Sequence, residues 1–183
     1  MNFVRTAFVL FANILCGCAG FAAQLQFTHD QAGRSVIVRC FVPEDATPDT
    51  AVVFVMHGVR RNGADYFADW EPHARENSFI LVVPEFPVDE FPGDEGYNFG
   101  NTVDAAGHAR PREQWAFSAI EPIFDEVKAR TGNRSERYKI YGHSAGAQFV
   151  HRFLYFVPGA RIDKAISAAE FTTPRANKVP ISP

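Results

Sequence analysis

The chain has 183 residues, 46% of them hydrophobic, and a formal charge of −3. That balance describes one globular domain with a sizeable core, and it excludes both a disordered polyelectrolyte and a strongly basic nucleic-acid binder. Phe is abundant at 18 residues, and strand or helix spacing assigns most of these to the core, with a minority left to line a pocket.

Residues 1–23, MNFVRTAFVLFANILCGCAGFAA, carry one early positive charge at Arg5, an apolar run from Ala7 to Leu15 and small residues at Ala19–Ala23. This is the layout of a secretory signal peptide cleaved after Ala22 or Ala23, and the apolar run is shorter than the roughly 20 residues a membrane-spanning helix needs. The expected location is therefore secreted or periplasmic. The stretch LCGC resembles a bacterial lipobox, so lipid anchoring through Cys18 is the alternative and the one route to a membrane. Removal of the leader leaves Cys40 alone, within SVIVRCFV, which reads as a small buried hydrophobe and permits no internal disulfide.

Next, LQFTH and SVIVRCFVP flank the turn-forming DQAGR, predicting an antiparallel hairpin. TAVVFVMHG, from Thr50, and SFILVVPEFP, from Ser78, are nearly continuous apolar runs, as strands buried on both faces require. Between them Phe67, Trp70 and Ala74 fall on one helical face. The stretch Glu85–Arg110 is rich in Pro, Gly, Asp and Asn with interspersed aromatics. It reads either as a loop near a binding site or as a surface excursion whose aromatics tuck into the core. Pro111–Gly132 predicts a helix with Trp115, Ala119, Ile123 and Val127 on one face, kinked or broken at Pro122. A strand over RYKIYG, a helix over AGAQFVHRFLYF and a strand over IDKAISAA follow. Alternating strands and helices predict an α/β fold with a mostly parallel sheet covered on both faces.

The pentapeptide Gly142-His143-Ser144-Ala145-Gly146 fits G-x-S-x-G, entered by a strand and left by a helix. That context makes Ser144 the candidate nucleophile, on a turn so sharp that flanking glycines must relieve the crowding. The amide of Ala145, at a helix N-terminus, can point at a developing oxyanion. His143 points away from the serine along the strand, and His151 lies two helical turns beyond it, too far for proton transfer. Arg60 and Arg61 read as solvated loop residues in preference to partners of an acidic substrate.

HGVRRNGADYFADW after one strand and YGHSAGAQFVHRF after another resemble the α/β-hydrolase superfamily, in its secreted feruloyl-esterase and polyhydroxybutyrate-depolymerase-like branch, over Val36–Ala168. The resemblance implies carboxylic-ester hydrolysis through an acyl-Ser144 intermediate on a small-molecule or polymeric ester, with no metal or organic cofactor. It assigns the second oxyanion amide to Val59, with Arg60 as a nearby alternative, and gives His57, Gly58, Gly142, His143 and Gly146 supporting places around the two turns. In that family the acid and the base follow the serine in chain order. Here the one later histidine is His151, Asp163 opens a strand at the wrong end, and Glu170 has no histidine to orient. The expected domain is therefore the N-terminal portion of a hydrolase, residues 24–169, lacking the last strands and helices, with 170–183 a disordered or non-native tail.

Three explanations stand: a truncated or frameshifted product, His57 serving as an unusual base, or a noncatalytic binding protein on a partial hydrolase fold. Whether the chain is an enzyme stays open at this point, and little activity is expected of it alone. An uncovered sheet edge would also invite self-association.

Overall fold

The computed structural model describes residues 21–168. Most of the leader, with Cys18, and the tail with Glu170 lie outside the described residues. Within them, no helix is long and apolar enough to cross a membrane.

Strands β1 (Ala23–Asp30) and β2 (Ser35–Val42) form the expected hairpin, joined by a tight turn in which Gln31 and Arg34 exchange backbone hydrogen bonds. Strand β3 (Val52–Met56), helix α1 (Gly63–Glu76) and strand β4 (Ile80–Glu85) follow, then a short helix α2 (Gly93–Gly96) inside the long loop. Helix α3 (Ile120–Thr131), strand β5 (Tyr138–His143), helix α4 (Ala145–Phe156) and strand β6 (Ile162–Ala168) complete the described chain. The strands make one sheet ordered β1-β2-β4-β3-β5-β6. The β4, β3, β5 and β6 strands run parallel, and the hairpin is antiparallel at one side.

The continuous apolar runs acquire their reason here. Alternate side chains of one strand serve opposite faces of the sheet, and both faces are covered. Val52, Phe54, Met56, Ile80 and Val82 join the core beneath α3 and α4, whereas Val55, Leu81 and Val83 pack with Phe67 and Ala74 of α1. Cys40 is fully buried, and burial pushes its thiol up to about 12. At the other side of the sheet β6 is the edge strand among the described residues, with Ile166 58% exposed. Arg161 fastens its start to α3 through Glu121 at 2.6 Å and Asp125 at 2.7 Å.

Pro122 does not break a helix. It occupies the third position of α3, inside the first turn, where a missing N–H removes no intrahelical bond. The interruption lies upstream, where Arg112–Gln114 and Ala116–Ala119 form two separate 3₁₀ turns. In the stretch 85–110 three of the four aromatics are tucked inward, Phe86, Phe91 and Tyr97 being fully buried, whereas Phe99 is half-buried.

Candidate active site

Strand β5 delivers the chain into a turn that α4 leaves at once, and Ser144 at the corner has φ 56° and ψ −119°. A non-glycine residue seldom adopts positive φ, and its cost persists only where surrounding packing over-determines it. The packing is visible in the two glycines. A Cβ on Gly142 would lie 2.1 Å from the Gly146 carbonyl oxygen, and a Cβ on Gly146 would lie 2.2 Å from the Met56 carbonyl oxygen. Helix α4 thus starts against bare backbone of β5 and β3. Ala145 is its first residue, so the Ala145 amide has no partner within the helix.

Strand β3 ends beside β5, with Met56 level with Gly142. The next residues, His57 and Gly58, consequently turn beside the serine, and a Cβ at Gly58 would stand 3.8 Å from Ser144 Cβ. Val59, next along, is exposed. The sheet order therefore brings Ser144, Gly58, Val59 and Ala145 to one place at the C-terminal ends of parallel strands.

His57 is fully buried and forms part of the frame. The Phe86 N–H donates to its Nε2 at 3.0 Å, which leaves the ring proton on Nδ1, where it donates to the Gly58 carbonyl at 3.0 Å. Burial holds its pKa down at about 3, and the neighbouring Arg61 charge also lowers it. With both nitrogens committed and the ring neutral, His57 has no free acceptor for a serine proton, which argues against its use as a base. Its ring stacks on Tyr97 at 4.4 Å, and the Tyr97 hydroxyl donates to the His57 carbonyl at 2.8 Å. Tyr97 stacks in turn on Phe149 of α4 at 5.2 Å. Desolvation holds the Tyr97 phenol well above its ordinary pKa, hence protonated.

Arg61 differs from the solvated residue expected. It is half-buried at φ 56°, its guanidinium lies 4.3 Å above the Tyr97 ring, and it donates to the carbonyls of Phe86 at 3.0 Å and Gly93 at 2.7 Å. Arg60 remains exposed. The long loop thus braces the turn at residues 57–61, a role carried chiefly by Tyr97, which sequence reasoning missed. Its one signal was an aromatic at the centre of a Gly-rich stretch.

His143 is exposed and its Nδ1 hydrogen-bonds the Tyr66 hydroxyl at 2.9 Å. His151 lies on the exposed side of α4 against Tyr155. Asp163 opens β6 near the level of Tyr138, roughly 16 Å from the serine end at about 3.3 Å per residue. Among the described residues no side chain hydrogen-bonds the Ser144 hydroxyl.

No family model and no curated protein matches the chain. Solved structures do. Poly(aspartic acid) hydrolase-1 from Sphingomonas sp. KT-1 is 42% identical with a TM-score of 0.75, over 82% of this chain and 56% of that one. A poly(3-hydroxybutyrate) depolymerase from Bordetella parapertussis is 33% identical with a TM-score of 0.74, over 80% of this chain and 52% of that one. An acetyl xylan esterase from Aspergillus awamori, at 16% identity and a TM-score of 0.61 over 78% and 50% of the two chains, shares the fold. The chain thus spans about half the length of the structures it matches. Identity at the level of the first two, carried on the same mostly parallel sheet, means that the chain belongs to the α/β-hydrolase superfamily.

Proposed function

We propose that this chain carries the nucleophile and oxyanion half of a serine ester hydrolase, with Ser144 on a nucleophile elbow and the amides of Val59 and Ala145 as oxyanion donors. The observation that carries the reading is the strained Ser144 backbone, set between β5 and α4 with the Gly58 turn against it. In the reaction Ser144 Oγ attacks the ester carbonyl carbon, its proton passes to a base, and the carbonyl oxygen becomes an oxyanion facing the two amides. Collapse expels the alcohol, which takes up a proton, and water then releases the acid from acyl-Ser144. The names of two neighbouring structures, a poly(3-hydroxybutyrate) depolymerase and an acetyl xylan esterase, favour a polymeric or small ester as substrate, whereas poly(aspartic acid), in the name of a third, is joined by amide bonds.

The same geometry argues for slow turnover by this chain alone. A serine hydroxyl needs an oriented base, and none touches Ser144 among the described residues. Loss of triad partners costs on the order of 10⁴–10⁶ in rate, leaving about 10³ over water where the oxyanion hole survives. That unpartnered hydroxyl also favours the second reading, a noncatalytic binding protein. Hydrolysis of a short-chain p-nitrophenyl ester, with Ser144→Ala as control, separates the two. Slow release lost in Ser144→Ala supports the hydrolase half. Release identical in both chains refutes it, and rapid turnover refutes the claim of low activity.

Export through the leader, with Cys18 lipidation as its alternative, belongs to the same proposal, and the N-terminus and mass of the exported product decide between them. Self-association through β6 rests on its exposure, and a strictly monomeric chain at high concentration would count against it.

A further inference from the structure

Tyr66 stands in the first turn of α1, and its phenol oxygen reaches the gap between the two turns that carry the oxyanion donors. It hydrogen-bonds His143 Nδ1 at 2.9 Å, joining residues 77 apart in the chain. It also lies 3.0 Å from where a Cβ on Gly58 would be, the same point that Ser144 Cβ approaches to 3.8 Å. Its ring, like those of Trp70 and Tyr141, packs against the buried apolar cluster that includes Phe67 and Ala74. Burial raises the pKa of the phenol, with the facing Gly58 backbone pulling the other way, so Tyr66 is a neutral hydroxyl at ordinary pH.

Such a strut has work to do there. The β3–β5 ladder ends at the pair Met56 and Gly142. Beyond it, among the described residues, no hydrogen bond runs directly from residues 57–61 to residues 143–146. Yet two amides on those separate turns must meet one oxygen at about 2.7–3.1 Å each, and a misplacement of about 1 Å costs on the order of 10²-fold in rate.

We infer that Tyr66 is a positioning residue whose hydroxyl, by touching Gly58 and holding His143, sets the gap between the Val59 and Ala145 amides. The inference deepens the hydrolase reading and rests on it for its catalytic consequence. The test is Tyr66→Phe in the full chain, followed by amide shifts and hydrogen exchange and by single-turnover acylation with p-nitrophenyl acetate. The amide shifts of Val59 and Ala145 should move, while the shifts and exchange rates of Phe67 and Ala74 and the melting temperature hold. Acylation should slow about tenfold with half-saturation unchanged, the pattern of an interaction realised in the transition state.

Unmoved Val59 and Ala145 amides overturn the inference, as does an acylation rate equal to the parent's. A fall in melting temperature that accompanies uniform exchange throughout α1 overturns it as well, since the hydroxyl would then serve the helix alone. If the parent shows no Ser144-dependent acylation, the hydrolase reading fails, and the two amides still decide whether Tyr66 holds the turns.

Discussion

Replacing Gly146 by Ala tests whether the serine turn depends on backbone-to-backbone approach. The new Cβ would lie 2.2 Å from the Met56 carbonyl oxygen and 2.7 Å from that of His57. Ordinary carbon–oxygen contact lies near 3.3 Å, roughly the closest approach seen even for weak C–H···O contacts, so something must move by about 1 Å. The obstacle is backbone at the end of a central strand, and α4 is pinned on its other residues by buried Phe149, Val150 and Phe153, so neither side yields freely. Overpacking of this kind costs about 1–3 kcal/mol and occasionally more, against a helix-propensity gain of up to about 1 kcal/mol for Ala over Gly. The net expectation is a loss of about 1–2 kcal/mol, with Ser144-dependent acylation falling further because β3 and α4 separate at the proposed oxyanion donors. Urea unfolding provides the measurement, the midpoint moving with the slope unchanged. Gly159→Ala is the matched control: a Cβ there meets nothing within 4 Å, and the substitution should stay within about 0.5 kcal/mol of the parent. Equal stability of Gly146→Ala and Gly159→Ala would refute the close-approach argument.

Two further outcomes follow from burial. His57 has a folded pKa of about 3 against an ordinary 6.5, so as pH falls below about 6.5 the unfolded chain takes up a proton that the folded chain refuses. Its contribution is complete above that pH and is lost toward pH 3 at up to about 1.4 kcal/mol per pH unit. His57→Gln should flatten the pH dependence of the urea midpoint over pH 4–6 by about that slope, and parallel curves would contradict a buried neutral imidazole. Cys40, with its thiol near 12 and no exposure, should resist thiol reagents in native buffer and react at the rate of global unfolding. Fast labelling of a Cys16→Ser, Cys18→Ser chain would show that β2 opens locally.

The serine turn was legible because everything that makes it lies within a few consecutive residues: the strand Tyr138–His143, the corner at Ser144 and the helix from Ala145. The strands β3 and β4 were legible for a related reason, since burial on both faces writes an unbroken apolar run wherever the strand sits. Pro122 misled because a proline reads as a breaker until the helix start is known, and α3 begins only two residues before it. Tyr66 and Tyr97 were harder for a deeper reason. Tyr66 matters through His143, Tyr97 through His57 and Phe149, and those partners lie tens of residues away on other elements. Their pairing is decided by the sheet order, which brings β3 beside β5 and closes α1 and the long loop around the shared end. The sharp turn at Ser144 is thus a local property of the chain, whereas its distance from the Gly58 turn depends on non-local packing. Substitutions at Tyr66 or Tyr97 should therefore impair the site while leaving every recognisable motif intact.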